Sequence, residues 1–526
     1  MAFWFYLLAS ISLYTFILIT LACFTRNKKL PPSPPTIPIL GNIFWLLKSS
    51  KNFAALEPML RYLRSKYGNI VTIYMGSTPA IFITAHETAH RALVKNGTVF
   101  AGRPWALPTT RVFFPNQHGV STSQYGPTWR LLRQNLMQII HPSRLHSYSH
   151  CRKSALDLLK KNILADIELG SNKAIPIYDH IELSMFALLS HMCLGEKYDE
   201  INVREIQNVL HSLLHNFIRF NVLNFLPFLL SKIVFRKLWK ELLQIRENQV
   251  NFILPIIKSR HELTKSKLGQ EEEEDQREKQ HLGFTAYVDT LFDMKLPESG
   301  RKLTDEELVS LCSEFMLAGT DTTATTWLWA MANLVKNQTI QEKLVNEINQ
   351  VVKPGEEIEE KHLKKMPYLQ AIVLETIRRH PPGHFILPRA VTQDTEMEGY
   401  FIPRNAIVNF LVAELGWDPN VWEDPMEFKP ERFLRKGQSE EEGECSCEFD
   451  IKGYSEIKMM PFGAGKRICP AISMALLHVE YFVANLVRDF KWTMEDGCEV
   501  DMSEKQAFTV VMKNPLRPCV TPRSSL

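Results

Sequence analysis

The sequence predicts a mainly α-helical protein with small β-sheets and an N-terminal transmembrane helix. From about residue 125 to residue 380, apolar residues recur three and four positions apart, which indicates a long succession of amphipathic helices. Short runs of β-branched and aromatic residues stand before and after that region and predict strands. Because strands and helices do not alternate along the chain, the pattern argues against a βαβ architecture.

The first element is an uncharged, strongly apolar run at Phe3–Phe24. As a helix it would be roughly 33 Å long, which matches the hydrocarbon core of a bilayer. The basic residues Arg26, Lys28 and Lys29 follow it directly, and the positive-inside rule places everything after them in the cytosol. A cleaved signal peptide, the alternative, would have a shorter apolar region after a basic start. Residues 1–29 are therefore predicted to be a retained membrane anchor.

Prolines dominate the next segment, Leu30–Pro35, and favour a stiff, extended spacer because they fix φ and lack an N–H donor. The chain of 526 residues is 45% hydrophobic, and its net charge of +3 does not indicate nucleic-acid binding. Nine cysteines, an odd and sparse number, favour free thiols in a reducing compartment. The pair Cys445 and Cys447 has no second pair nearby, so a metal site is not expected there. Residues 30–526 are predicted to form a proline hinge and one large domain.

Short strands flank the helical region on both sides. Their β-branched and aromatic content places them at Ile70–Tyr74, Ala80–Thr84, Tyr400–Ile402 and Ile407–Phe410. Two acidic runs, Glu271–Asp275 and Glu440–Glu442, are predicted to be solvated surface loops because like charges repel one another.

A long helix is predicted to begin after Thr304, which forms a capping box with Glu307, and to run to about Lys336. Its middle, Ala318–Thr323, places glycine and several polar or β-branched residues where a stable helix favours alanine or leucine. That part of the helix is therefore expected to be distorted or to line a site.

The string Phe462-Gly-Ala-Gly-Lys-Arg-Ile-Cys-Pro470 is the strongest indication of chemistry. Glycines let a tight loop approach a flat ligand closely, and Arg467 offers a cation for a carboxylate. Cys469 stands just before Pro470, at the predicted first turn of a helix through Val479, where the helix dipole favours a thiolate. A buried structural cysteine beside a glycine turn would explain the cysteine alone, but it would not explain the whole string.

This string resembles the F-x-x-G-x-R-x-C haem-binding motif of the cytochromes P450, with Ala471 where that family usually has glycine. Further stretches are similar to family motifs and stand in the family's order: E-x-x-R at Glu375–Arg378, P-E-R-F at Pro430–Phe433, W-x-x-x-R at Trp129–Arg133 and [AG]-G-x-[DE]-T at Ala318–Thr322. The resemblance covers nearly the whole chain.

The resemblance implies a cytochrome P450 fold that binds haem, with the thiolate of Cys469 as axial ligand to the iron. The other implied haem-binding residues are Phe462 and Arg467 in the cysteine motif, and Trp129, Arg133 and Arg389 near the propionates. It also implies that Glu375 forms a buried charged network with Arg378 and Arg432.

The resemblance further implies catalytic roles for two residues of the long helix. Thr322 would hold a water by hydrogen bond, Asp321 would relay protons inward, and Gly319 would make room for dioxygen. Protons must reach the oxygen that is reduced to water, and this sequence places an acid and an alcohol side by side for that purpose.

Within the family, Arg379–Phe385 and Phe508–Met512 look most like the plant A-type microsomal enzymes, in particular the plant family-89 group. This implies a monooxygenase of the endoplasmic reticulum membrane, spanning it once, with its catalytic domain in the cytosol and a hydrophobic small-molecule substrate. The chain has no G-x-G-x-x-G element after a strand and no P-loop, so electrons would come from a separate NADPH-cytochrome P450 reductase. The reductase would dock on the cysteine side, where Lys466 and Arg130 offer positive charge.

Two other functions are considered. His86-Glu-Thr-Ala-His90 reads as H-E-x-x-H and suggests a membrane-anchored zinc metalloprotease, but no third ligand follows it in the pattern. The second is a haem protein that does not oxygenate a substrate. Such branches of the family often lose the threonine that this sequence keeps at Thr322.

Overall fold

A computed structural model describes residues 10, 12, 14, 29–37, 41–42, 56–75, 78–170, 174–224, 226, 228–270, 284–434 and 447–523. The predicted anchor lies almost entirely outside these residues, and Cys445 and both acidic runs lie outside them altogether. Within the described part of the chain, no helix combines the length and the apolar character needed to cross a bilayer.

The described α-helices follow one another for most of the chain, as the periodicity predicts. They are α1 Leu56–Tyr67, α2 His86–His90, α3 Pro108–Phe113, α4 Pro127–Ile140, α5 Ser149–Leu169, α6 Ile177–Leu194, α7 Glu200–Phe220, α8 Phe228–Val234, α9 Arg236–Gln270, α10 Asp305–Lys336, α11 Gln338–Val351, α12 Glu360–Leu363, α13 Pro367–Arg379, α14 Val412–Gly416 and α15 Ile472–Asp489. Helix α10 begins with the predicted capping box, in which the Thr304 side chain accepts from the N–H of Glu307 and Glu307 accepts from the N–H of Thr304.

The described strands are short and gather into small sheets, as predicted. They are β1 Ile70–Met75, β2 Thr78–Ile83, β3 Arg389–Ala390, β4 Thr395–Met397, β5 Tyr400–Ile402, β6 Ile407–Phe410, β7 Phe490–Thr493, β8 Glu504–Gln506, β9 Val510–Met512 and β10 Cys519–Pro522. One sheet has four strands in the order β1-β2-β6-β3, and β2 pairs with β6 in parallel although their neighbours are antiparallel. The pairs β4–β5, β7–β10 and β8–β9 form two-stranded sheets.

The chain divides into two compact units. The first comprises Met1–Pro104, Phe385–Leu415 and Ile451–Ile468, and the second comprises Trp105–His384, Gly416–Asp450 and Cys469–Leu526. The first unit contains the four-stranded sheet, whose faces bury separate apolar clusters. In β2, Ile81 and Ile83 face one cluster while Ala80 and Phe82 face the other. Successive strand residues point to opposite faces, so a strand buried on both faces reads as one continuous apolar run.

The proline segment lies against this sheet. The backbone N–H of Thr72 donates to Pro32 O at 2.8 Å, and the Thr72 hydroxyl donates to Pro31 O at 3.0 Å. Asn42 Nδ2 donates to Pro35 O at 3.0 Å. Prolines leave carbonyls but no N–H groups for such contacts, and here those carbonyls fix the extended segment to β1.

Helix α10 is the central element of the second unit, and it packs against α6, α13 and α15. Its C-terminal half is buried on all sides, with Trp327 stacked on Phe482 at 4.7 Å between ring centroids. Trp329 stacks on His380 at 3.9 Å and donates from Nε1 to Val510 O at 2.9 Å. These contacts fix the axial position and the rotation of α10 and therefore the direction in which its polar middle faces.

Candidate active site

The middle of α10 is uncovered on one side. Ala318 is exposed although most residues of the helix are buried, and Thr322, one turn later, is half-buried. The Thr322 hydroxyl donates to Ala318 O at 2.8 Å, so a side chain competes for a carbonyl that the helix itself uses. This is the stretch that the sequence predicts to be distorted or to line a site, and the helix is continuous there.

Gly319 has a different role from the one expected. A Cβ at this position would lie 2.7 Å from Leu189 Cδ1 on α6, so the missing side chain lets two helices of the same unit approach closely. The expectation that Gly319 makes room for dioxygen is therefore wrong in this structure. Ala318 lies on the uncovered side instead.

Asp321 lies beside Thr322 in sequence and is only partly exposed. Its Oδ1 is 3.8 Å from His211 Nε2 on α7. The same imidazole nitrogen is 3.1 Å from Glu182 Oε1 on α6. The sequence did not indicate His211 or Glu182, because helical periodicity does not reveal which side chains meet across three different helices.

The glycine-rich part of the cysteine motif belongs to the first unit. Gly463 and Gly465 have φ of 68° and 70°, which favours glycine, and a Cβ at Gly465 would overlap the Leu93 carbonyl. Arg467 is buried and donates from Nε to Ala101 O at 2.9 Å. Arg389 is buried too, and its Nη2 donates to Arg467 O at 3.3 Å. The structure therefore brings together Arg389 and Arg467, while Phe462 is half-buried in the same loop.

Cys469 begins the last segment of the second unit, and its surroundings act on the thiol in opposite directions. Burial raises the pKa of the Cys469 thiol, while the backbone N–H of Ala471 and the positive charge of Arg133 lower it. The following helix begins at Ile472 with Ala471 as its N-cap, so the prediction that Pro470 opens the helix is wrong. The amide donor that reaches the sulfur is nevertheless at this helix start, as the sequence predicts.

Trp129 and Arg133 lie one turn apart on α4, in the second unit. Trp129 is buried, and the Arg133 guanidinium lies 5.6 Å from its ring centroid. The Tyr125 ring packs on Trp129 with a centroid distance of 5.3 Å. These two contacts hold the tryptophan, while its cationic neighbour stays close enough to act on Cys469.

The E-x-x-R and P-E-R-F residues form the charged network that the resemblance implies. Arg378 makes a two-pronged contact with Glu375 at 2.7 and 2.9 Å, and neither side chain is exposed. Arg432 Nε donates to Glu375 Oε1 at 3.1 Å, and the backbone N–H of Lys429 donates to the same oxygen at 2.8 Å. Arg378 Nη1 also donates to the carbonyls of Gly416 and Pro425. One carboxylate and one guanidinium thus tie α13 to the segment from residue 416 to residue 432.

The H-E-x-x-H residues form no zinc site. His86 Nε2 lies 3.1 Å from Leu415 O, and His90 Nε2 lies 3.1 Å from Tyr454 O. These contacts use Nε2 of both histidines, and Glu87 pairs with Arg91 at 3.0 Å. Among the described residues, no group of three potential metal ligands includes His86 or His90. The structure gives no support to the metalloprotease alternative.

The arrangement around Cys469 fits a haem-thiolate site. Burial raises the pKa of the Cys469 thiol, and a metal cation bound to the sulfur would favour the thiolate instead. Arg133, in the same unit as Cys469, is a cation suited to a carboxylate such as a haem propionate. Glycines with positive φ hold the loop before the cysteine.

The chain is similar to known proteins over nearly its whole length. The family profile described as Cytochrome P450 matches residues 31–520. Cytochrome P450 89A9 of Arabidopsis thaliana is 44% identical over 98% of each chain, and an isoflavone 3'-hydroxylase of Medicago truncatula is 29% identical over 98% of this chain and 97% of the relative. A zebra fish cytochrome P450 solved with progesterone aligns at a TM-score of 0.69 and 19% identity, covering 89% of this chain and 99% of the other. The chain therefore belongs to the cytochrome P450 family.

Proposed function

We propose that this P450 inserts one atom of dioxygen into a hydrophobic small molecule and reduces the other atom to water. The single observation that carries this proposal is a half-buried Cys469, within reach of the positive charge of Arg133, that ends a glycine-rich F-x-x-G-x-R-x-C loop. Haem bound through the Cys469 thiolate supplies the oxygen activation. We assign its binding to Cys469, Phe462, Arg467, Trp129, Arg133 and Arg389.

The experiment that tests this proposal is the carbon-monoxide difference spectrum of dithionite-reduced membranes containing the full chain. We expect the red-shifted Soret band diagnostic of a thiolate ligand. A preparation with stoichiometric zinc and no haem absorption would refute the proposal.

Thr322 and Asp321 are assigned to proton delivery. The Thr322 hydroxyl is held to the backbone of its own helix at the uncovered stretch, where it can orient a water. Asp321, the residue that precedes Thr322, offers a carboxyl group that can give and regain a proton. This acid–alcohol pair favours monooxygenation over a haem protein that does not oxygenate.

Replacing Thr322 with alanine should keep the fold and the haem, because its hydroxyl bond to Ala318 is local. We expect peroxide formed per NADPH oxidised to rise about tenfold, because proton delivery in such sites contributes at least that much. Peroxide and NADPH are measured together in the reconstituted system. Replacing Thr264, whose hydroxyl makes the same kind of contact with Arg260 O on α9, should change nothing. Wild-type coupling in Thr322→Ala would remove the proton role from this residue.

A hydrophobic substrate is proposed because apolar side chains of the second unit are open to a ligand. Trp105, Leu107 and Phe508 are 70%, 50% and 44% exposed. One relative, by its name, hydroxylates an isoflavone, an aromatic molecule. Apolar aromatic compounds should therefore perturb the Soret band at lower concentrations than charged analogues of the same size, and the reverse order would contradict this proposal.

A separate NADPH-cytochrome P450 reductase is proposed as the electron donor. Lys466 and Arg130 are both exposed, and neither has a part in holding Cys469. Charge attraction of this kind acts mainly on association. The double variant Lys466→Gln and Arg130→Gln should raise the apparent KM for the reductase at low salt, and the difference should shrink as salt is added. An unchanged KM would place the docking surface elsewhere.

We also propose that residues 1–29 anchor the chain in the endoplasmic reticulum membrane, with residues 30–526 acting as one cytosolic catalytic domain. The apolar run Phe3–Phe24 and its basic flank support the anchor, and the family match from residue 31 to residue 520 supports the domain. Alkaline carbonate should leave the full chain in the membrane pellet and release a chain that lacks residues 1–29. Release of both would exclude an integral anchor.

A further inference from the structure

The carboxyl group of Asp321 lies within a cluster of side chains from three helices of the second unit. His211 on α7 places Nε2 3.8 Å from Asp321 Oδ1 on α10 and 3.1 Å from Glu182 Oε1 on α6. The His211 and Asp321 side chains are 14% and 13% exposed, so both are largely enclosed, yet water can reach them. One imidazole thus connects the proposed proton donor of the site with a second carboxylate.

Glu182 is itself held firmly. The Tyr178 hydroxyl donates to Glu182 Oε1 at 2.9 Å, and Gln207 Nε2 donates to Oε2 at 2.8 Å. Glu182 is buried, and the ring of Phe186 meets the His211 ring edge to face at 5.0 Å. Each oxygen of the Glu182 carboxylate accepts a hydrogen bond, and the Phe186 ring packs against the His211 imidazole. These contacts hold His211 with Nε2 toward Glu182 and Asp321.

The groups around His211 favour its charged form. Burial disfavours its charged form, but the hydrogen bond to Glu182 and the negative charges of Glu182 and Asp321 outweigh burial and hold the pKa of His211 above its usual value. The titratable groups that face it in the described structure are Glu182 and, through it, Tyr178 on α6, and Asp321 on α10.

We propose that His211 positions Asp321 and returns a proton to it in each turnover, with Glu182 fixing the imidazole. This inference rests on the proposed monooxygenase function. When Asp321 has given its carboxyl proton toward Thr322, the His211 Nε2–H transfers its proton to the Asp321 carboxylate. The imidazolium then becomes neutral imidazole and regains a proton from solvent water, so charge and protons balance.

The distance supports a two-step exchange. At 3.8 Å the His211 and Asp321 atoms are too far apart for a direct hydrogen bond, whereas the Glu182 oxygen lies at ion-pair distance, 3.1 Å from His211 Nε2. A side-chain rotation of Asp321, or one water, closes the gap. His211 therefore pairs with Glu182 and gives its proton to Asp321 when the Asp321 carboxylate is negative.

The first test measures the unfolding temperature of the haem-loaded full chain for wild type, His211→Gln, Asp321→Asn and the double variant across pH. A group with a raised pKa in the folded state stabilises fully below its unfolded pKa, about 6.5 for histidine, and loses this as pH rises through the folded value. The effects of the two substitutions on the unfolding temperature should therefore be non-additive at acidic pH and additive at alkaline pH. Additivity at every pH overturns the pairing of His211 with Asp321.

The second test follows NADPH oxidation by the reductase-reconstituted chain without any organic substrate, in water and in deuterium oxide. His211→Gln should slow it roughly tenfold and enlarge the solvent isotope effect, as expected when a proton step becomes limiting. His211→Arg keeps a cation beside Asp321 but cannot release a proton near neutral pH. In combination with Asp321→Asn it should therefore show the same non-additivity in unfolding temperature as the wild-type histidine, while NADPH oxidation should stay as slow as in His211→Gln. An arginine variant with wild-type rate, or a glutamine variant with wild-type rate and pH profile, overturns the transfer role.

A matched control is available in the same unit. His180 Nε2 pairs with Asp166 Oδ2 at 2.8 Å, away from Asp321, and its side chain is 13% exposed. His180→Gln should leave the rate and the isotope effect at the wild-type values, and a change as large as that of His211→Gln would overturn the specific role of His211. If the wild-type chain lacks the thiolate-ligated spectrum, the proposed function fails and this inference with it. If the spectrum is present and His211→Gln has no effect, this inference alone fails.

Discussion

Replacing Cys469 with serine should abolish the thiolate-ligated spectrum and reduce turnover to the detection limit. The Cys469 thiolate would supply a strongly electron-donating sulfur to the iron, whereas a serine hydroxyl remains protonated at neutral pH. Ala471 N–H and Arg133 favour the anionic sulfur in the folded chain, and they cannot ionise an alcohol. Haem content and the carbon-monoxide difference spectrum are measured on the same membranes.

Loss of the spectrum through misfolding must be separated from loss of the ligand. Cys469→His offers a nitrogen in place of the sulfur, so it should retain haem but lack the red-shifted band. Cys498→Ser changes an exposed cysteine remote in sequence from the motif and should behave as wild type. Full haem content, a red-shifted band and normal turnover in Cys469→Ser would show that another residue is the axial ligand.

The fold was predictable wherever the determining contacts are local. The Thr304–Glu307 capping box sets the start of α10 through hydrogen bonds within one turn, and the prediction of this helix to Lys336 is confirmed. Strands β5 and β6 depend on the alternation of their own residues and lie where predicted. The start of α15 was missed because its N-cap, Ala471, makes no side-chain capping bond that the sequence could reveal.

The site was predictable only in part, because most contacts of its side chains are not local in sequence. The sequence identifies Asp321, Thr322 and Cys469 by their motifs, but it does not show what each side chain touches. Gly319 was interpreted as space for dioxygen, whereas it accommodates Leu189 from another helix. His211 belongs to no motif, and its position beside Asp321 depends on how α6, α7 and α10 pack. The packing of distant segments, rather than a local sequence pattern, thus determines which side chains lie close enough to exchange a proton with Asp321.

Replacing Glu375 with glutamine should prevent accumulation of folded, haem-loaded protein, although Glu375 is not proposed to contact haem or substrate. The change keeps the shape of the side chain but leaves the charge of Arg378 buried without its carboxylate partner. Breaking a buried ion pair on one side costs about 3–5 kcal/mol, a large part of the roughly 5–15 kcal/mol that stabilises a typical protein. Haem content and unfolding temperature should both fall.

The rigidity of this network makes even a conservative change severe. Arg378 donates to Glu375, Gly416 and Pro425 at once, and Arg378→Lys removes the planar fork that makes this possible. The matched control is Arg204→Gln, which removes an exposed ion pair with Glu200 at i,i+4 spacing and should cost less than about 0.5 kcal/mol. An unfolding temperature of Glu375→Gln equal to that of Arg204→Gln would show that the network is dispensable. A large drop in unfolding temperature for Glu375→Gln alone would show that the buried charges tie α13 to the segment that follows Gly416.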